Sequence, residues 1–389
     1  MIASSPPERG RIRKLLLAGN PYDAFLLEEA GFRPPGQDEP GEAPAFDLAR
    51  SGEKALKLLA GGGYDMLLAN YELPDMSGRE LARRVAEEVD REIPMALVTS
   101  DTELGGASSS TTPLAGGANL FIWYGAQSFL WSLIWLIEDE LNAPKLLDEG
   151  HSLVILLVED EPNFYSHFFP LLYERVLASA IEVIPEARRP GSIWGRLGNR
   201  PLVLLRRNFD AACDVLYRYR TQMMAVITDM TFPVKGELKT DAGLRLLYRA
   251  RAINGHMPVA VHSHEREHEG AAQEARARFL WKDSPHLLGE LDHFLMDSCG
   301  FGPFVFRWPV GGVYGTAHNL RELRDLIVDV PEVVFEHHAL HFDFSTWLAV
   351  HGHGELARAV RDLSITDTTP RQDVLRALDR ALAGEVEPG

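Results

Sequence analysis

Four apolar runs in the second third of this chain end in groups that can do chemistry together. SLVILLV is followed by Glu159, Asp160 and Glu161; MMAVITD ends in Asp229; MPVAVHS ends in Ser263; and ARFLW is followed by Lys282. Short apolar runs bounded by turn residues read as buried strands. If those strands lie parallel in one open sheet, their C-terminal ends meet in the crevice at the topological switch point. Two or three carboxylates, a hydroxyl and an ammonium would then share one edge. Adjacent carboxylates repel unless a hard cation sits between them, and an all-oxygen donor set suits Mg²⁺. In such a site Asp229 would be the nucleophile of an acyl-phosphate reaction. Lys282 would pair with the phosphoryl group as a point charge, and the Ser263 hydroxyl would hydrogen-bond a phosphoryl oxygen.

The elements that must position these groups follow from hydrophobic periodicity, which gives a strand–helix alternation twice over. The first pass runs KLLLAG, PYDAFLLEEAGF, FDLAR, SGEKALKLLAGG, YDMLLAN, SGRELARRVAEEV, IPMALVTS, NLFIWY and SFLWSLIWLIEDEL. Ser51 sits where an N-cap belongs. The second pass begins near Ser152 and carries two insertions, one around residues 184–200 and one, VKGELKTDAG, in the loop after its third strand. Strands alternating with helices imply a parallel sheet covered on both faces. The predicted fold class is therefore α/β, two (βα)5 units with five-stranded parallel sheets, followed by a small helical region. Predicted boundaries are 1–145, 150–299 and 300–389, the first two units meeting near residues 143–150 in NAPKLLDEG. In the last region FGPFVFRWPVGGVYG reads as a hairpin or connector. LRELRDLIVDV, FEHHALHFDFSTWLAVHG, GELARAVRDL and RQDVLRALDRALAG read as helices.

A length of 389 residues suggests two or three domains. The chain has 56 acidic and 39 basic residues, a formal charge of −17, which makes it a poor general binder of nucleic acid. Two cysteines imply neither a disulfide framework nor a cysteine-based zinc site. The uncharged stretch before Glu138 includes LFIWYGAQSFLWSLIWLI, barely the length of a membrane span; Gly125, Gln127 and Ser128 interrupt it, and it reads as a strand, a turn and a helix. Trp131 and Trp135 lie one turn apart beside the core stripe of that helix. They suggest a second buried face, against the other unit or a second subunit in a homodimer. The N-terminus lacks the apolar core of a signal peptide, so the expected compartment is the cytoplasm. His264 and His268, with His262 close by, and the group His337, His338 and His341, have metal-like spacing but no confirmed third ligand in sequence; they read as surface or core histidines.

At the acid cluster a resemblance becomes specific. The second unit resembles the receiver domain of bacterial two-component response regulators. That family has an acidic pair after strand one, here Glu159 and Asp160, and a phosphoacceptor aspartate with proline four residues on, here Asp229 and Pro233. It also has a Ser/Thr five residues after a proline, here Pro258 and Ser263, and a lysine before the last helix, here Lys282. The resemblance implies Mg²⁺ held by Glu159, Asp160, Asp229 and the main-chain carbonyl of Thr231. It also implies phosphorylation of Asp229 by a sensor histidine kinase or phosphotransfer protein. One acid at a strand end would be unremarkable, but four residue types in the right order are not.

The first unit keeps the frame without the chemistry. Asn70 stands for Asp229 with Pro74 four on, Ala18 and Gly19 for the acidic pair, Tyr124 for the lysine, and only Thr99 keeps its type. It resembles a pseudo-receiver with a structural or docking role, or with another ligand in its crevice. More widely, LLVEDEPNFYSHFFPLLYERV, ITDMTFPVKGELKTDAGLRLL, FLWKDSPHLLGELDHFL, CGFGPFVFRWP and FEHHALHFDFSTWLA are similar to the N-terminal regulatory region of phosphoenolpyruvate synthase-like proteins that carry response-regulator domains. No glycine-rich phosphate loop or swivelling phosphohistidine segment occurs in these residues. The expectation is a regulatory module, not an enzyme beyond turnover of its own aspartyl phosphate. Its output would be a separately encoded target protein. The rival expectations are an assembly scaffold in which phosphorylation is irrelevant, and a transcription regulator acting through the C-terminal region. The latter lacks a basic recognition helix.

Overall fold

A computed structural model of the chain describes residues 10–32, 43–107, 114–148, 152–183, 200–363 and 371–384. Two five-stranded sheets carry the fold. The first is built from β1 (Lys14–Ala18), β2 (Ala45–Ala49), β3 (Met66–Asn70), β4 (Met95–Thr99) and β5 (Asn119–Ile122), in the order β2-β1-β3-β4-β5. The second uses β6 (Val154–Val158), β7 (Leu202–Arg206), β8 (Met223–Asp229), β11 (Val259–Ser263) and β12 (Arg278–Trp281), in the order β12-β11-β8-β6-β7. All pairings within both sheets are parallel. This is the 2-1-3-4-5 order of the flavodoxin-like arrangement, whose crevice opens where the order reverses, between β1 and β3 and between β6 and β8. Continuous apolar runs form these strands because both faces are covered: β6, β8 and β11 are buried at every position.

Helix starts follow the sequence. In the first half these are α1 (Pro21–Glu29), α2 (Gly52–Ala60), α3 (Gly78–Glu88), α4 (Thr102–Ala107) and α5 (Gln127–Asp148). Asn20, Ser51 and Ser77 accept backbone N–H bonds at the first turns of α1, α2 and α3. Among the described residues no helix is long and apolar enough to cross a membrane.

The last helix of the first unit runs past its predicted end at Leu141 into the boundary segment NAPKLLDEG. Helix α5 continues through Pro144 to Asp148. Proline removes one hydrogen bond, but Leu146 and Leu147 bury themselves in the core of the second sheet and hold the last turns in place. The next helix, α6 (Pro162–Val183), packs against α5, and one apolar core runs continuously through both. Trp135 meets Tyr173 at 5.7 Å, so the tryptophan face is covered by the second unit of the same chain.

The two units also cap each other's sheet edges. On β5, the Ile122 N–H donates to Ser166 Oγ (2.9 Å) and the Leu120 carbonyl accepts from the Tyr165 hydroxyl, both on α6. On β7, the Val203 N–H donates to Asp139 (2.9 Å) and the Leu205 N–H to Glu140 (3.2 Å), both on α5. An open edge is a row of unpaired donors and acceptors. Here each unit supplies the helix that satisfies the other's.

The first predicted insertion, residues 184–200, lies outside the described residues apart from Arg200. The second is not a plain loop: β9 (Phe232–Val234) and β10 (Glu237–Lys239) pair antiparallel, with Lys235 and Gly236 at positive φ in the turn. The last region begins with the hairpin β13 (Phe304–Arg307) and β14 (Val313–Ala317). Helices follow at Leu320–Asp329, Glu332–Leu340, Asp343–Val350, Gly354–Leu363 and Arg371–Gly384. The stretch expected as one helix, FEHHALHFDFSTWLAVHG, breaks at Phe342, whose φ is +62°. His338 fixes that corner: its Nε2 accepts from the Arg307 N–H (2.8 Å) and its Nδ1 faces Asp343 (2.7 Å). This histidine ties hairpin to helix.

Candidate functional site

The second sheet brings the sequence-predicted groups to one place. Asp160, Glu161, Asp229, Thr231, Ser263 and Lys282 all line a cleft of about 250 Å³ at the C-terminal ends of β6, β8, β11 and β12. Glu159 lies just beneath it, fully buried. Lys282 Nζ stands 3.0 Å from Glu159 Oε2, 3.1 Å from Asp229 Oδ2 and 3.7 Å from Glu161 Oε1. The ring of Phe164 lies 4.1 Å below the ammonium. The other oxygen of Asp229, Oδ1, accepts the Met230 N–H at 2.7 Å. Gly243 clears the space beneath: a Cβ there would sit 2.1 Å from the Asp229 carbonyl oxygen. Its N–H donates to the Met230 carbonyl, starting the helix Ala242–Ile253 directly under the acceptor.

Electrostatically the site holds more negative charge than its single ammonium can balance. Burial pushes the carboxyls of Glu159 and Asp229 upward, with Lys282 pulling both back. Burial, then the neighbouring Asp229, lifts Asp160 to about 7. Burial alone would depress Lys282, but Glu159, Asp229 and Glu161 outweigh it and raise it. Asp160 Oδ1 is buried with no hydrogen-bond partner. An orphaned, desolvated carboxylate oxygen in an oxygen-lined cleft fits a hard divalent cation. Asp160, Asp229 and Thr231 are the residues that line the cleft from this donor set.

Ser263 Oγ accepts the Glu265 N–H (3.1 Å) and meets His268 Nδ1 at 2.9 Å. His264 faces Asp283 at 2.8 Å. The 264/268 pair is thus spent on local partners. His262, grouped in the sequence with His264 and His268 as a surface or core histidine, is fully buried beside the acids, a placement the sequence reading did not give it. The signal was present: it precedes Ser263 on a strand whose every residue must be buried.

The first sheet holds a matching crevice of about 270 Å³, lined by Asn20, Asp23, Asn70, Thr99, Trp123 and several aliphatic side chains. Hydrogen bonding corrects two equivalences by one residue. Gly19 N–H bonds the Ala49 carbonyl as Glu159 N–H bonds that of Arg206. The acidic pair is therefore matched by Gly19 and Asn20, not by Ala18 and Gly19. Likewise Trp123 N–H bonds Thr99 as Lys282 N–H bonds Ser263, so Trp123, not Tyr124, stands at the lysine position. In place of a cluster of acids, Asp23 alone accepts from Asn70 Nδ2 (3.3 Å) and from the Asn20 N–H (2.7 Å), closing a helix cap. Tyr124 instead crosses to the second unit, its hydroxyl 3.0 Å from Asn163 Oδ1 and its ring on His167.

A larger groove, about 1130 Å³, lies elsewhere, between Val85–Met95 and α5; its Glu140 and Arg206 pair with each other at 2.7 Å. No protein-family description matches the chain, and no curated protein matches it.

Proposed function

We propose that this chain is a response regulator-like signalling protein whose second unit accepts a phosphoryl group on Asp229. One observation carries the reading: Asp160, Asp229, Ser263 and Lys282 line a single cleft at the switch point of a 2-1-3-4-5 sheet. The Asp229 carboxylate attacks the phosphorus of a phosphohistidine or small acyl-phosphate donor. The donor's bond to phosphorus breaks, the donor keeps the electron pair, and an acyl phosphate forms. The Lys282 ammonium, already 3.1 Å from Asp229, stays with the new phosphoryl charge. Ser263 turns its hydroxyl from His268 toward a phosphoryl oxygen. Mg²⁺, when held by Asp160, Asp229 and the Thr231 carbonyl with Glu159 behind them, supplies charge neutralisation for the phosphoryl oxygens. Donors are a sensor histidine kinase or a phosphotransfer protein, and the compartment is the cytoplasm. The output is a shift in a two-state surface read by a separate protein.

Purified protein incubated with acetyl phosphate and Mg²⁺ gives a retarded band on a phosphate-affinity gel. The band is lost in Asp229→Ala and on chelation. No shift in either protein moves the reading to the scaffold alternative, which the reciprocal edge capping and the acid-poor first crevice support. A scaffold keeps its partners in Asp229→Ala.

Mg²⁺ affinity has a predictable pH dependence. The Asp160 carboxyl is raised from 3.8 to about 7, so without a cation the folded state binds a proton there that the unfolded chain does not. Stability therefore falls as pH rises through that window. Mg²⁺ and the proton compete for the same oxygen atoms. The rise in Tm on adding Mg²⁺ is larger at pH 8 than at pH 6, worth about 2.7 kcal/mol where Mg²⁺ is 100-fold over its Kd. Thermal scans at the two pH values check it, and equal shifts count against Asp160 as a ligand.

A further inference from the structure

We propose that Glu159, Asp229 and His262 form a second cation site, selective for a borderline divalent transition metal of the Zn²⁺ class, beneath the all-oxygen position in the cleft. The inference rests on the same acid cluster as the functional reading but does not need phosphorylation to occur.

His262 is the observation that calls for a ligand. It is fully buried, and neither ring nitrogen has a hydrogen-bond partner. Burying an imidazole without a hydrogen bond costs free energy. Its Nδ1 points at the acids, 3.4 Å from Glu159 Oε2 and 3.6 Å from Asp229 Oδ1. Ligand atoms bound to zinc at about 2.0–2.2 Å in a tetrahedron lie about 3.3–3.6 Å from one another. The nitrogen-to-oxygen spacings already match that span. The ligand atoms of all three residues fall within 4.8 Å of one another, and this is the one such group among the described residues. The ring of Phe168 stands edge-on to His262 at 5.1 Å and fixes its orientation.

The donor set decides the metal. One imidazole with two carboxylates suits Zn²⁺ and its neighbours, whereas Mg²⁺ prefers oxygen and six-fold coordination. A cation here also competes with Lys282, whose ammonium shares Glu159 Oε2 at 3.0 Å. The displaced ammonium has Glu161 Oε1 within 3.7 Å. Occupancy would engage Asp229 itself, so Zn²⁺ is expected to lower phosphoacceptance rather than support it.

Co²⁺ is the spectroscopic probe, added to the full chain. Tetrahedral Co²⁺ absorbs visible light far more strongly than octahedral Co²⁺. The expected result is the strong tetrahedral band in wild type, displaced by Zn²⁺. In His262→Leu the band is absent and Zn²⁺ affinity falls at least about tenfold. Glu159→Gln, nearly the same shape, serves as the second variant if His262→Leu does not fold; metal-free thermal unfolding reports folding for both. A weak octahedral spectrum in wild type, or unchanged Zn²⁺ affinity in the folded variant, overturns the proposal. Because the readout needs no phosphoryl donor, failure of Asp229 to become phosphorylated leaves this result intact, and the reverse holds too.

Discussion

Asp139→Ala is expected to destabilise the protein by about 3–5 kcal/mol, the range for removing one partner of a buried ion pair. Asp139 is almost fully buried on α5 and takes four donors. Arg200 reaches it through Nη1 (2.7 Å) and Nη2 (2.6 Å), the Tyr173 hydroxyl at 2.7 Å and the Val203 N–H at 2.9 Å. Arg200 is itself buried and lies over the rings of Trp135 and Tyr173 at 5.5 and 5.1 Å. Alanine would strand a guanidinium, a phenol and an edge-strand amide together. Asp139→Ala/Arg200→Met removes the stranded charge and is expected to recover much of the loss. Because Asp139 joins the two units, denaturant unfolding of the single variant is expected to split into two transitions. A single transition with less than about 1 kcal/mol of change would show the joint to be unimportant.

The second large effect belongs to Lys282. Its side chain is buried between Glu159 and Asp229, so Lys282→Met keeps the apolar stem and removes only the counter-charge. Above pH 7 two buried carboxylates then face each other, and the cost is about 3 kcal/mol. Burial already raises both carboxyls, and losing Lys282 raises them further. Groups with raised folded pKa values bind protons in the folded state first, so the penalty shrinks as pH falls. Guanidinium unfolding at pH 8 and at pH 5.5 measures it. A penalty equal at both pH values would mean that lysine contributes packing rather than charge. Mg²⁺ at pH 8 is expected to restore part of the loss, since it supplies the missing positive charge.

The strand–helix alternation and the acids at strand ends were legible because both rest on local signals. Continuous apolar runs mark buried parallel strands, and chemistry-bearing residues at strand ends are placed by topology alone. The misreadings came from interactions that span the chain. SFLWSLIWLIEDEL stops short because only the burial of Leu146 and Leu147 in the second core carries the helix through Pro144. Asn20 and Trp123 were missed by one residue because only interstrand hydrogen bonds set the register. The break at Phe342 depends on His338, which bonds a hairpin residue 31 positions away. The reciprocal capping by α5 and α6 has no local signature, since Ser166 and Glu140 look like ordinary polar helix residues. His262 was not joined to the acids because its neighbours in sequence are histidines, while its neighbours in space, Glu159 and Asp229, come from other strands.

The central claim is that Asp229 carries an acyl phosphate. After incubation with acetyl phosphate and Mg²⁺, borohydride reduction converts a phosphorylated aspartate to homoserine, which peptide mass mapping locates by position. The account predicts homoserine at 229 and at no position in the first unit, dependent on Mg²⁺. Aspartate intact at 229 with homoserine elsewhere, or the same pattern after chelation, would contradict it.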